Sequence, residues 1–233
     1  MKEKNKTNKK DKSVIVVSPH PDDETLGCGG TMLRHFDQGD SVYWLIITQM
    51  SEELGFSKEK VERRRHEIED VAAEYGLEQT IHLGFPATRL DDQPMGDLVE
   101  AVGEAVVDVE PEIVYAPYRS DIHTDHAVVF DAVASCSKWF RYPSIQRVLA
   151  YETLSETDFS IDPDTDGFRP DVFCNVTGYI DEKIEIMRIY ESEMGTHPFP
   201  RSEASIRALA TLRGASAGFE AAEAFMLLRE RIQ

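Results

Sequence analysis

SVIVVSPHPDDETLGCGG, residues 13–30, decides how this chain is read. It opens on an apolar, mostly β-branched run at 14–17, which reads as a short buried strand. Pro19 and Pro21 then bar continuation as strand or helix. His20, Asp22, Asp23 and Glu24 therefore fall on the loop at the strand's C-terminal end, the edge where ligands bind in open α/β sheets. Three adjacent acids repel one another unless a proton or a cation relieves them. One reading is a solvated acidic loop in which Asp22 or Asp23 caps the next helix. The other is half of a metal site, in which His20 and one acid bind and another acid acts on water. The histidine in their company favours the second.

The other half lies about a hundred residues on, in EIVYAPYRSDIHTDHAVV, residues 112–129. A β-like run at 113–116 meets Pro117, then a polar loop, then His123-Thr124-Asp125-His126 and an apolar helical pattern. His123 and His126 share a face if the helix has begun between them. Both clusters follow a strand and precede a helix, so parallel strands bring them to one sheet edge.

The bulk composition narrows the class. A chain of 233 residues with 41% hydrophobic content supports one α/β domain with a sizeable core. A net charge of −18 argues against nucleic acid or anionic membrane as a partner. No apolar run approaches the ~20 residues of a bilayer span, and the N-terminus lacks an apolar signal core, so the expected location is cytoplasmic. Cys28, Cys136 and Cys174 are odd in number and widely spaced, as reduced apolar fillers are. The first 12 residues carry six lysines against two acids and are expected to be a disordered basic tail, leaving 13–233 as a single domain.

Along that domain, strands are expected at 14–17, 41–48, 79–83, 113–116, 147–151 and 171–176. Helices are expected at 25–38, 58–75, 91–109, 123–140, 181–193, 203–213 and 220–231. The alternation predicts a three-layer, Rossmann-like α/β domain: a mostly parallel sheet with helices on both faces. Gly27, Gly29 and Gly30 lack the full dinucleotide fingerprint, and close helix–strand packing accounts for them. The polar stretch 158–169 lacks a calcium loop's spacing and reads as a surface or lid loop.

The two histidine motifs resemble those of the PIG-L / LmbE-like family of zinc-dependent N-deacetylases. Pro19-His20-Pro21-Asp22-Asp23-Glu24 and His123-Thr124-Asp125-His126 carry the resemblance. Arg64-Arg65-His66-Glu67, Tyr190-Glu191-Ser192-Glu193, Arg213-Gly214 and Ala222-Glu223-Ala224-Phe225 extend it over nearly the whole chain after the tail. The resemblance implies His20, Asp23 and His126 as metal ligands, with zinc or a replacing divalent ion such as Fe2+ as cofactor. It implies Asp22 as general base and a protonated His123 stabilising the oxyanion, oriented by an ionised Asp125. It further implies Arg64 as a substrate-hydroxyl contact, Glu24 behind the ligands, and self-association. The chain departs from the family at Ala87, where members often carry Asp, and at Glu193, where Gln is usual.

The function so implied is removal of an acetyl group from an N-acetylated amino sugar, of N-acetylglucosaminyl type, with a surface-polysaccharide or glycoconjugate intermediate as substrate. A thiol-cofactor precursor of N-acetylglucosaminyl malate or inositol type is the alternative within the class. Outside it stand a nucleotide-binding α/β protein, which lacks the glycine fingerprint, and a non-catalytic sugar-binding module, which has no reason to keep His20, Asp22, Asp23 and His126 together. A carboxylate-only glycoside hydrolase does not need paired histidines.

Overall fold

The computed structural model describes residues 11–161, 163 and 167–232. The basic tail, except its last two positions, and part of the 158–169 loop lie outside them. The strands are β1 (Ser13–Ser18), β2 (Ser41–Gln49), β3 (Gln79–Pro86), β4 (Ile113–Pro117), β5 (Arg147–Tyr151), β6 (Val172–Asn175) and β7 (Ala222–Glu230). The α-helices are α1 (Asp23–Asp37), α2 (Lys58–Glu74), α3 (Met95–Val109), α4 (Thr124–Ser135), α5 (Ile180–Met187) and α6 (Glu203–Ala217). Among the described residues the strands form one seven-stranded sheet in the order β3-β2-β1-β4-β5-β7-β6.

Alternate side chains of a strand face opposite sides of a sheet, and here both sides are apolar. Val14, Val16, Trp44 and Ile46 pack with Leu26 and Met32 of α1 and Ile184 of α5. Ile15, Val17, Leu45 and Ile47 pack with Val102 and Val106 of α3 and Val129 and Val133 of α4. Two cores back to back make the three layers expected from the alternation. Gly27 lets α1 lie against the sheet: a Cβ there would come within 2.2 Å of the Tyr151 ring. The glycine step thus serves helix–sheet packing, and no nucleotide loop is formed. Cys28 is part of the same core and offers no thiol to the sheet edge.

The C-terminal segment departs from expectation. A helix is expected over 220–231, yet β7 runs there, antiparallel to β5 and to β6. Its residues Ala, Glu, Met, Leu and Arg are good helix formers, but propensity differences amount to a few tenths of a kcal/mol per residue, roughly. Residues 222–225 fill a slot between two strands and are buried there, which outweighs that preference. Helix α4 also stops at Ser135, and α5 stops at Met187, several residues short of the expected ends.

The functional consequence of the topology lies at β1. From β1 the chain moves outward to β2 and β3, then crosses back to place β4 on the other side of β1, in parallel register from Val14↔Ile113 to Val16↔Tyr115. The loops after β1 and β4 open side by side at this reversal, where α/β sheets form ligand crevices. Among the described residues no helix is long and apolar enough to cross a membrane.

Candidate active site

Asp22 occupies the N-cap position of α1 at φ 128°, a conformation that costs a non-glycine residue about 1–3 kcal/mol. Its side chain makes no capping bond, which sets aside the reading of Asp22 as a helix cap. Its backbone N–H donates to Glu24 Oε2 at 2.9 Å. Glu24 is buried and also accepts from the Thr25 hydroxyl (2.7 Å) and the Tyr190 hydroxyl (2.9 Å). Glu24 is therefore the brace that holds the strained turn. Burial raises its pKa to about 7, against the pull of those hydrogen bonds.

The two distant loops meet. Asp23 Oδ2 accepts the His20 backbone N–H at 2.8 Å and lies 3.3 Å from His20 Nδ1 and 3.3 Å from His126 Nε2. The His20 and His126 ring centroids are 5.7 Å apart. His126 Nδ1 pairs with Asp121 Oδ2 at 2.7 Å, and the Thr157 hydroxyl donates to Asp121 Oδ1 at 2.6 Å. Burial alone lowers both imidazoles. The hydrogen bonds of His20 to Asp125 and Asp23 outweigh it and lift His20 to about 9, and the charges of Asp23 and Asp121 lift His126 to about 10. Burial opposes ionisation of Asp23, but the two imidazoles hold it well below the usual carboxylate range.

Asp125 corrects an expectation. Its carboxylate does not orient His123; it pairs with His20 Nε2 at 3.0 Å and accepts the backbone N–H groups of Thr88 (2.8 Å) and Leu90 (3.1 Å). His123 Nδ1 instead accepts the Asp125 backbone N–H at 3.1 Å. Burial, and then the neighbouring charge of His20, lower His123 to about 4. With Nδ1 accepting a backbone N–H, a neutral ring carries its proton on Nε2.

Arg64, expected as a substrate-hydroxyl contact, lines the cleft and is itself held on all sides. It is 7% exposed. Its Nη1 donates to Pro21 O at 2.5 Å, its Nε pairs with Glu67 at 3.0 Å, and its Nη2 pairs with Glu193. Arg201, which no sequence pattern singles out, reaches Asp22 Oδ2 at 2.7 Å, Glu193 Oε2 at 2.9 Å, Glu156 Oε1 at 3.2 Å and Ser155 Oγ at 2.7 Å. Asp22 is pushed well above the ordinary carboxylate range by burial and then by Asp23, with Arg201 pulling the other way. Of the residues that sequence reasoning passed over, Asp121 carried a signal, an acid two positions before His123. Glu156 and Arg201 carried none.

His20, Asp22, Asp23, Arg64, His123, Glu156, Glu193 and Arg201 line a cleft of about 400 Å3, the size of small-ligand sites. Its floor fits a metal ion. His20, Asp23 and His126 each offer a ligand atom, all within 4.8 Å of one another, and a second such group is His20, His123 and Asp125. Only the first contains an orphan: His126 Nε2 is buried and makes no hydrogen bond, a costly state for a ring nitrogen without a ligand. In the second group, both Asp125 oxygens are already engaged, by His20 and two backbone amides. Two imidazoles and one carboxylate are also a donor set suited to zinc with a position left open.

The family model described as PIG-L, GlcNAc-PI de-N-acetylase, matches residues 15–137. The "Uncharacterized deacetylase YaiS" of Escherichia coli is 30% identical over 152 residues, 63% of this chain and 76% of that protein. The "Probable N-acetyl-alpha-D-glucosaminyl L-malate deacetylase 2" of Bacillus cereus is 25% identical over 192 residues, 78% of this chain and 84% of its own. Among solved structures, the conserved protein TT1542 from Thermus thermophilus superposes with a TM-score of 0.75 at 26% identity, covering 95% of this chain and 97% of that one.

Proposed function

The chain belongs to the PIG-L family of de-N-acetylases, whose reaction is hydrolysis of an amide C–N bond, and we propose that it removes the acetyl group from an N-acetylated amino sugar bound in the cleft over His20, Asp23 and His126. The observation that carries the reading is the convergence of three ligand atoms from two distant loops, one of them a buried ring nitrogen that makes no hydrogen bond. The family, whose description is a GlcNAc-PI de-N-acetylase, and the Bacillus cereus relative, named for an N-acetylglucosaminyl malate, support an amino sugar of that type.

In this reading His20, Asp23 and His126 hold a divalent ion, zinc first and Fe2+ as a substitute. Such an ion supplies a Lewis acid that acidifies water and polarises the amide carbonyl. Asp22 takes the proton of the attacking water and passes it to the departing amine nitrogen. Its raised affinity for a proton and its position beside Asp23 support that role. His123 faces the developing oxyanion as a neutral Nε2–H donor rather than as the imidazolium first expected. Asp125 holds the His20 ring through Nε2, and Asp121 holds the His126 ring through Nδ1.

Elemental analysis should find close to one divalent ion per chain, and an acetate-release screen over N-acetylglucosamine glycosides, nucleotide sugars and lipid-linked sugars should find turnover. Asp22→Asn should retain the ion and lose on the order of 10²–10⁴ in turnover. Full activity in that variant rejects the base assignment. Protein that takes up no ion after metal supplementation rejects the site.

A further inference from the structure

We infer that the cleft selects an N-acetylamino sugar whose aglycone is uncharged and apolar, and selects against aglycones that carry carboxylate or phosphate; the inference rests on the deacetylase reading above and specifies its substrate.

Two observations carry it. The first is the state of the arginines. Three of them line the cleft: Arg64, Arg65 and Arg201. Each guanidinium nitrogen of Arg64 already has an acceptor in Glu67, Pro21 O or Glu193. Each nitrogen of Arg201 has one in Ser155, Asp22, Glu193 or Glu156. Arg65, half-exposed at the mouth, is held by Glu62 at 2.7 Å and Glu69 at 2.5 Å. Inside the cleft, an anionic substrate group therefore finds every guanidinium nitrogen of Arg64 and Arg201 engaged and faces Glu156, Glu193 and Asp22, with only Arg65, whose two terminal nitrogens are paired, at the exposed rim. To bind, it has to displace a carboxylate of the protein, and like charges brought together across an interface are disfavoured.

The second observation is the opposite wall. Met50, Phe56 and Val61 line the cleft, are only half-buried, and belong to neither of the two main cores nor to the small cluster around Val176. They come from the segment after β2 and from the first turn of α2, and Ile68 continues the same face of α2 two turns on. Apolar side chains that converge on a cleft and stand outside the cores gain by covering an apolar ligand. The charged network fixes the sugar end of the cleft, and this wall receives what the sugar is attached to.

The test compares three α-glycosides of N-acetylglucosamine on metal-loaded full-length protein: benzyl, methyl and malyl. The expected order of kcat/KM is benzyl above methyl above malyl, with benzyl roughly tenfold over methyl, the gain from covering one apolar group. Phe56→Ala should lower the benzyl-to-methyl ratio about tenfold, and Met50→Ala should lower it in the same direction, both measured on protein whose melting curve shows it folded. Glu193→Gln, which removes the charge shared by Arg64 and Arg201, should raise the malyl-to-methyl ratio. Malyl turnover equal to or above methyl overturns the inference, as does a benzyl-to-methyl ratio unmoved in both wall variants. Calorimetric affinities on Asp22→Asn protein separate the two levels. Benzyl bound more tightly than malyl, with no acetate released by the wild type from any glycoside, supports the apolar subsite and rejects the deacetylase reading; acetate release with malyl bound more tightly does the reverse.

Discussion

Replacing Asp121 by Asn tests the metal centre without touching a ligand. Asp121 Oδ2 accepts from His126 Nδ1 at 2.7 Å, and Asp121 Oδ1 accepts from the Thr157 hydroxyl at 2.6 Å. Both Asp121 and His126 are buried. Asn preserves the shape and one accepting oxygen but turns a charge-assisted bond into a neutral one. Bonds to charged groups contribute about 1.5–3 kcal/mol and neutral ones about 0.5–1.5, so the ring loses on the order of 1–2 kcal/mol of support for its ligating form. At about 1.4 kcal/mol per factor of ten, ion affinity should fall roughly tenfold, within the 10–100-fold range of such outer contacts. The assay is competition of the protein against a chromophoric zinc chelator at fixed pH, with a melting curve on the same samples. An affinity equal to wild type in a folded Asp121→Asn protein refutes the assignment of His126 as a ligand held by Asp121.

Three further outcomes follow from the packing. Arg64→Ala should destabilise the fold by about 3 kcal/mol, because it leaves Glu67 without its buried partner and Glu193 with Arg201 alone. Urea midpoints read this, and a change confined to KM would instead assign Arg64 only the substrate-hydroxyl contact that the resemblance implies. Glu24 should contribute a pH-dependent stability. Its folded pKa of about 7 lies above its ordinary 4.5, so the unfolded chain releases the proton first. Stability from this group is full below about pH 4.5 and is lost as pH rises to about 7, by about 3 kcal/mol. The difference between wild-type and Glu24→Gln urea curves across that window should show the slope, and parallel curves would exclude it. Gly27→Ala should cost about 1–3 kcal/mol by overpacking, since the added Cβ meets the Tyr151 ring at 2.2 Å; an unchanged melting temperature would contradict the close approach of α1 to β5.

Much of the site was legible because its chemistry is local in the chain. Proline-flanked histidine and consecutive acids after an apolar run place reactive groups on a loop wherever the strand sits, so His20, Asp22 and Asp23 could be read from residues 13–30, and His123 and His126 from residues 112–129. The two strands that carry them were legible for the same reason: β-branched runs buried on both faces have one structural use. What remained hidden depends on partners far away in sequence. Asp125 was expected behind His123, its near neighbour, but its carboxylate was taken by His20, 105 residues earlier. Arg64 was expected to meet substrate, and it lines the cleft, but the two carboxylates and the carbonyl that hold it there come from distant segments or a later turn of its own helix.

The amino-acid sequence alone determined the α/β class and the sheet edge where the two histidine motifs meet, since both follow from hydrophobic periodicity and the placement of prolines, while the set of residues on the floor came from resemblance to a known family. Tertiary structure decided that Ala222–Glu230 is a strand, that Arg201 and Glu156 close the cleft, and which acid holds which imidazole. Local propensities differ by tenths of a kcal/mol, whereas filling a slot between two strands or pairing a buried charge is worth whole kcal/mol, roughly. Where the two compete, the contact made across the chain wins.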